Sequence, residues 1–525
     1  VSERFDRAGL SIALLIFLIL GLWNLNLPGL HYDEAREAGL NAMEFLRGLP
    51  LTAFRNAQIR VGSVGIPLMV QDYIGALNVF LVTPFLGAFG IRVEALRLFT
   101  LCVGTGTIFL TWTLARKLGG PLAGFGAALL LAFSPSFVFW SRQGIFVTNI
   151  VSLFLVASLL CGLRWRERGH PLDLYCLALL WGLGFYSKAI FLWVILAMVF
   201  WALAFPPRKL PSPKELACAL VAFSLPLIPF FFFNALTGGT VLAVFQNLRF
   251  SYYGVSNLAL GANLAARLKQ FAALLRGDHL WYLGGIFSNP VAPWVAGGYV
   301  LATLLLALAG KAQWRALLPA GIIGFIVVES AFTISGLFIT HYFLLLPLLA
   351  ISGGIGLGFL LKKSGSLRIL KALAVGAFIL WAGRDLYITT LYHRSLAVSG
   401  GHSSHSDAIY ELADYLLPWK GKPVVALDWG IDAPLRFLTL GEVKPVEIFG
   451  YESFHAPDPG FRERASLFLN PGTIFIAHGP EDTVFKGRVE ALESLARERG
   501  LKLEEIAHFR ERSGRLLYII LQVRE

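Results

Sequence analysis

The chain has 525 residues, 56% of them hydrophobic and only 15% charged, with a mean hydropathy of +0.65. Soluble domains carry about 25% charged residues, so this composition excludes an ordinary soluble protein and marks a polytopic membrane protein. The net charge of +12 falls in small clusters between apolar runs, which is how topology signals are laid out, and this placement argues against a nucleic-acid-binding face.

The first apolar segment, residues 8–27, is long and leads into "NLNLPGLHYDE" without a small-residue cleavage site. It reads as a retained span, not a removed signal peptide. Further apolar segments follow at 73–90, 95–115, 121–140, 146–163, 172–187, 189–205, 216–235, 290–309, 317–335, 342–361 and 369–388. A helix needs about 20 residues to cross the hydrocarbon core. The four cysteines, Cys102, Cys161, Cys176 and Cys218, all lie in apolar segments, which speaks against disulfides and thiolate metal sites.

Basic clusters follow every second segment: Arg116 and Lys117; Arg164, Arg166 and Arg168; Arg208, Lys209 and Lys214; Lys311 and Arg315; Lys362, Lys363, Arg368 and Lys371. The positive-inside rule makes their face cytoplasmic. Arg4 and Arg7 place the N-terminus on the same face, so one segment must fail to cross. Segment 73–90 is short and holds Asn78 and Pro84, and it reads as an interfacial or half-inserted helix. The expected fold is a polytopic α-helical membrane protein of about 11 transmembrane helices, residues 1–388, with an extracytoplasmic soluble α/β domain at 389–525. The first external loop, 28–94, then carries juxtamembrane helices. A rival with every segment crossing puts the N-terminus outside and that loop in the cytoplasm.

Within that loop stands "LPGLHYDEAREAGLNAMEFLRGLP", with Asp33 and Glu34 side by side where the chain leaves the first segment. Carboxylates at a membrane edge are costly and point to function; equally, Asp33 can cap a helix that Gly48 and Pro50 stop. Arg60, Arg142, Lys188 and His341, followed by Tyr342, fall on the same external side. Arginine holds a phosphate through paired hydrogen bonds. Each also has a plainer reading. Arg142 and Lys188 can snorkel at span ends, His341–Tyr342 can be an interfacial aromatic pair, Arg36 can pair with Asp33 or Glu34, and Asp72 can start its helix.

Several stretches in order resemble the protein O-mannosyltransferase and aminoarabinose-transferase group of GT-C glycosyltransferases. They are "HYDEAREA", "IPLMVQDYIGAL…FLGAFG", "RVEALRLFTLCVGTGTIFLTWTLARKLGG", "ALLLAFSPSFVFWSRQG" and "GLGFYSKAIFL", within residues 8–360. The resemblance implies an extracytoplasmic acidic loop followed by a segment lying along the membrane, which favours the 11-span reading. It also implies transfer of a sugar from a polyprenyl-phosphate carrier to a lipid, glycan or protein acceptor at the outer face of the cell membrane. Asp33 would be the catalytic carboxylate, with Glu34 beside it. Arg36, Arg60, Asp72, Arg142, Gln143, Asn149, Lys188, His341 and Tyr342 are the candidates to bind the donor.

One departure stands out. Relatives often carry a second Asp after the "s-R" element, whereas "SRQGIFVTNIVS" offers only Gln143, Thr148 and Asn149. Asp72 or Glu34 could compensate. No cofactor or metal ligand set is implied with certainty, and the reading leans to metal-independent catalysis with at most an incidental divalent cation. A ligase or oligosaccharyltransferase using a pyrophosphate-linked glycan is the alternative enzyme. A transporter or flippase of lipid-linked sugars is the other class, but no repeated halves appear in the sequence.

The longest connection, 236–289, contains "NLAARLKQFAALLRG", whose leucines and Phe271 form a stripe with Arg267, Lys269 and Arg276 beside it, as in a helix lying on the membrane surface. "RGDHLWYLGG" follows, where Asp278–His279 either faces an acceptor or is an ordinary polar turn. In the tail, "KPVVALDWG", "GTIFIAHG", "LKLEEIAHF" and "RLLYIILQV" predict strands. "DAPLRFLTLG" and "VFKGRVEALESLARERG" predict helices, giving a small α/β layer domain.

Overall fold

The computed structural model describes every residue except 1–2, 63, 206–209 and 364–366; Arg208 and Lys209, counted above as basic-cluster residues, lie outside the described residues. Each of the twelve apolar segments contains a helix. Val93–Gly119, Pro213–Thr237 and Ile339–Lys362 are long and apolar enough to cross a membrane. Pro121–Phe133 and Pro135–Arg142 form a pair bent by 62°, which adds a fourth if read as one span. The bend has a local cause. Pro135 has no N–H to continue the ladder, and Ser134 accepts from the Phe137 amide to start the second piece. Many helices turn large apolar side chains outward: Leu203 is 77% exposed and Ile369 78%, as lipid contact requires.

Segment 73–90 divides. Strands Met69–Gln71 and Ile74–Gly75 pair, and a helix follows at Leu77–Phe89, 13 residues long with Pro84 inside. Behind it, Val93–Gly119, Pro121–Phe133 and Leu346–Lys363 pack as the centre of the bundle. Gly354 makes the close approach possible, because a Cβ there would lie 2.3 Å from the Ala123 carbonyl oxygen. At one end of the bundle Glu167 accepts from both Lys117 and Arg315. Three of the basic connections therefore meet at a single end.

The last long helix, Arg368–Ser399, runs past residue 388 before Gly400 ends it in the left-handed conformation. Beyond it lies a five-stranded sheet in the order Val446–Glu447, Val424–Ala426, Ile474–His478, Leu516–Arg524, Lys502–Arg510. The first three strands are parallel and the last two antiparallel. Strand alternation puts Val424, Ala426, Ile474 and Ile476 on one face under helices Ala408–Leu416 and Asp432–Leu438. Val425, Phe475 and Ala477 go to the other, under Phe461–Ser466 and Arg488–Glu498. The strands and helices expected of the tail all form. Sequence pattern did not reveal strand Val446–Glu447 or helices Ala408–Leu416 and Phe461–Ser466.

The helix expected to lie on the membrane surface forms at Leu260–Arg276, but its inner face differs from the apolar stripe. Arg267 is fully buried, whereas Leu268 is 52% exposed. Asp278–His279 is a closed turn: Asp278 pairs with Arg276 at 2.5 Å and the His279 ring lies on Trp140.

Candidate active site

The acidic stretch forms a short helix, Tyr32–Glu34, that widens into a π-helical turn at Ala35–Gly39 and continues as Leu40–Leu46. Its N-cap is His31, not Asp33. The imidazole accepts from the Asp33 amide at 3.1 Å, and Glu34 closes the box by accepting from the His31 amide. Burial and the Arg97 charge push the His31 imidazolium down to about 3, so the ring is neutral and able to accept. It stacks on His405, which stacks in turn on Tyr282.

Glu34 is fully committed to structure. Its two oxygens accept from Arg97 Nε at 2.8 Å and Nη2 at 2.9 Å, and one also accepts from Gln143 Nε2 at 3.0 Å. Arg97 spends its remaining donors on the carbonyls of Leu25, Pro28 and Gly29. The network thus welds the first loop to helix Val93–Gly119.

Asp33 is different. Its carboxylate is 25% exposed and lies 3.8 Å from Nδ1 of the neutral His31 ring; among the described residues it accepts no hydrogen bond. Burial raises its titration to about 6 against the opposing pull of Lys188, with Glu34 adding to the rise. Lys188 sits at the C-cap of helix Pro171–Ser187, 5% exposed, and its ammonium makes no hydrogen bond or ion pair among the described residues. The cation is therefore neither snorkelling into water nor used up by a partner. The Lys188 and Arg267 charges both act on His341, whose Nδ1 is buried without a partner and whose ring lies edge-on to Trp193.

Arg267, which sequence reasoning placed at a surface, completes this group. Its Nε and Nη1 donate to the Ser330 and Phe338 carbonyls at 2.9 and 3.0 Å, leaving Nη2 buried and unpartnered. Its guanidinium lies over the rings of Tyr342, at 5.1 Å, and Trp193. The Tyr342 hydroxyl meets Ser330 Oγ at 2.6 Å. Asp33, Lys188, His341 and Tyr342 are thus gathered, with Arg267 added. What the arrangement offers is a carboxylate in the field of Lys188 and, linked to that lysine through His341, a second buried cation, Arg267, neither cation having an anion among the described residues.

The other candidates go elsewhere. Arg142 donates to the Asn24 and Leu27 carbonyls and meets His393 Nδ1 at 3.2 Å. Gln143 serves Glu34, and Asn149 donates to the Thr100 carbonyl at 2.9 Å. Arg36 reaches the Thr52 carbonyl at 3.4 Å, not Asp33 or Glu34. Asp72 pairs with Arg55 at 2.7 Å and does not start a helix, since the next helix begins at Leu77. Arg60 is exposed on the hairpin Gln58–Val61/Val64–Pro67. Among the described residues no group of three or more His, Cys, Asp or Glu side chains forms a metal-binding cluster.

The tail closes over the acidic loop. Gly29 N donates to the His405 carbonyl at 2.7 Å and Tyr410 Oη to Asn26 at 2.7 Å, while the Trp429 ring lies 4.8 Å from Tyr32. A Cβ at Gly29 would lie 2.0 Å from the Ser406 carbonyl oxygen, so only glycine admits this contact. No local signal in the sequence announces these pairings, which join residues nearly four hundred positions apart.

Residues 78–233 match the family model described as dolichyl-phosphate-mannose-protein mannosyltransferase. No curated protein gives a significant match. Among solved structures, apo ArnT from Cupriavidus metallidurans superposes with a TM-score of 0.64 at 12% identity, covering 98% of each chain. The same protein bound to undecaprenyl phosphate gives 0.62 at 12% identity, over 99% of this chain and 98% of that one. The Archaeoglobus fulgidus oligosaccharyltransferase tethered to an acceptor peptide with the NVT sequon gives 0.51 at 14%, covering 91% and 69%. Over residues 78–233 the chain is thus similar to a family of membrane mannosyltransferases, and over nearly its whole length it shares the fold of ArnT.

Proposed function

We propose that this enzyme moves a sugar from a polyprenyl-phosphate donor to an acceptor hydroxyl or amine at the extracytoplasmic face, with Asp33 as general base. The acceptor attacks the anomeric carbon, the bond from that carbon to the phosphate oxygen breaks, and Asp33 takes the acceptor's proton. Lys188, the free Nη2 of Arg267 and His341 receive the departing phosphate, whose charge needs a cationic site. Tyr342 supports the Arg267 guanidinium through its ring. Glu34 and Gln143 position the loop. The observation that carries this reading is an Asp33 carboxylate that accepts no hydrogen bond and lies in the field of Lys188, a buried cation without an anion among the described residues, with Arg267, whose Nη2 is unpartnered, acting with Lys188 on the same His341. The undecaprenyl phosphate held by ArnT from C. metallidurans supports a donor of that class.

In this reading the basic end joined by Glu167 is cytoplasmic and the acidic loop is external. Helix Leu77–Phe89, at 13 residues, rises about 20 Å, short of a core about 30 Å thick. That supports about 11 spans with segment 73–90 not crossing. The region from 389 onward, after completing the last helix, is an extracytoplasmic domain that covers the loop. Mass spectrometry of lipid-linked sugars and surface glycans in cells with and without the gene tests the function. Accumulation of one polyprenyl-phospho-sugar on deletion identifies the donor, whereas accumulation of a pyrophosphate-linked glycan makes the enzyme an oligosaccharide ligase.

A further inference from the structure

Glu37 lies four residues beyond Asp33, and the intervening π-helical turn Ala35–Gly39 brings side chains at that spacing onto one face. Such turns occur often at functional sites. The Glu37 side chain is only 2% exposed. Its two hydrogen bonds are long, Gln71 Nε2 to Oε1 at 3.3 Å and Thr148 Oγ1 to Oε2 at 3.4 Å, and it makes no ion pair among the described residues. That is unlike Glu34, which is saturated by Arg97 and Gln143. A buried carboxyl held so loosely is not explained by packing. Thr148 comes from the second loop, the connection that lacks an acid, and stands in the left-handed conformation at φ 51°.

The charges around Glu37 decide its form. On its own helix are Asp33, Glu34 (neutralised by Arg97) and Arg36. The following helix Leu40–Leu46 brings Glu44, held by Asn41 and Thr52. The strand Met69–Gln71 leads to Asp72, paired with Arg55, and to Tyr73, on which both Asp33 and Glu37 act. Helix Asp432–Leu438 brings Asp432 and Arg436, which pair with each other at 2.9 Å. Helix Leu77–Phe89 and the short helix Gly144–Val147 bring no titratable side chain. Among the described residues Lys188 is left as the one cation acting on both Asp33 and Glu37. A buried carboxyl and a half-buried one that share one lysine cannot both ionise cheaply.

We propose that Asp33 and Glu37 form a carboxyl–carboxylate pair carrying one negative charge, with Glu37 a neutral positioning residue that keeps Asp33 the base. Burial and the Asp33 charge push Glu37 well above the usual carboxylate range, in keeping with that assignment. The role rests on the transfer reaction proposed above, but the protonation state does not. With Glu37 neutral, Lys188 and Asp33 balance, and an anionic donor headgroup meets no net negative charge. Ionising Glu37 would leave the site one unit negative and weaken capture of the donor.

Infrared titration of the purified full-length protein tests the pair without any substrate. A protonated-carboxyl band should persist at neutral pH in the wild type and be missing in Glu37→Gln. In Asp33→Asn the band should titrate at lower pH, by at least about one unit, because the neighbouring like charge has gone. If no band at neutral pH is lost in Glu37→Gln, or if Asp33→Asn leaves its midpoint unmoved, the pair is refuted. Should Glu37→Gln fail to fold, the Asp33→Asn displacement alone decides. Where transfer is measurable, the alkaline limb of kcat/KM for the donor should flatten in Glu37→Gln; a purely structural glutamate would leave the limb in place.

Discussion

Glu34 grips Arg97 through both carboxylate oxygens, at 2.8 and 2.9 Å, with the two side chains at 1% and 0% exposure. This pair, next in sequence to the proposed base, is a structural anchor. Its removal should be read as stability, not catalysis. Glu34→Gln leaves the Arg97 guanidinium buried and uncompensated, a change that costs about 3–5 kcal/mol. Thermal unfolding in detergent should show a large drop in midpoint and a lower yield of monodisperse protein. A Glu34→Gln enzyme of wild-type stability that has lost transfer would hand the chemistry to Glu34.

The topology gives a second expectation. Arg60 on the exposed hairpin and Glu481, 74% exposed in the tail, should lie outside, and Lys311, at the basic end, inside. Single cysteines at these positions, in a background without the four native ones, are to be labelled in intact cells with an impermeant reagent. Arg60→Cys and Glu481→Cys should label and Lys311→Cys should not. The reverse pattern at Arg60 would restore the twelve-span alternative with a cytoplasmic loop.

The donor-binding expectation falls on Lys188 and Arg267. Lys188→Met removes the free cation, and Arg267→Lys keeps a charge but loses the planar fork. A charge-assisted hydrogen bond is worth about 1.5–3 kcal/mol. Each variant should therefore bind a polyprenyl phosphate about ten- to a hundredfold more weakly. Arg142→Lys is the contrast: its donors serve the Asn24 and Leu27 carbonyls, so it should lose stability before affinity. Unchanged affinity in both Lys188→Met and Arg267→Lys would remove the phosphate from this pocket.

How far the site was legible in the sequence depends on what made each residue conspicuous. Asp33 and Lys188 stand out as charges where apolar segments end, and both lie in the gathered group. Arg267 did not stand out, because an arginine in an amphipathic helix reads as solvent-facing until Ser330 and Phe338 supply their carbonyls and Tyr342 and Trp193 the rings that bury it. Glu37 was hidden in an acid-rich run, its only signal the spacing of four from Asp33. Residue preference offers Asp33 as a cap, the plainer of its two readings, whereas the chain uses His31, a neutral imidazole made available by burial. The helices of the apolar segments and four of the five tail strands follow from the hydrophobic pattern, whereas Val446–Glu447, two residues long, does not. The clasp between Gly29 and His405 follows from nothing local.

Asp33 carries the last expectation. Because His31 caps the helix, Asp33→Asn removes neither cap nor ion pair, and the protein should fold and bind donor as before. Transfer should fall by at least about a hundredfold, since loss of a general base costs about 10²–10⁴. The pH profile supplies the sign. A base works when ionised, so wild-type transfer should fall as pH drops through about 6, where Asp33 gains its proton. Lys188 favours the ionised form, so Lys188→Met should move this acid limb to higher pH. A limb that stayed in place in Lys188→Met, or moved down, would separate Lys188 from Asp33. Near-normal transfer by Asp33→Asn would take the base away from this loop.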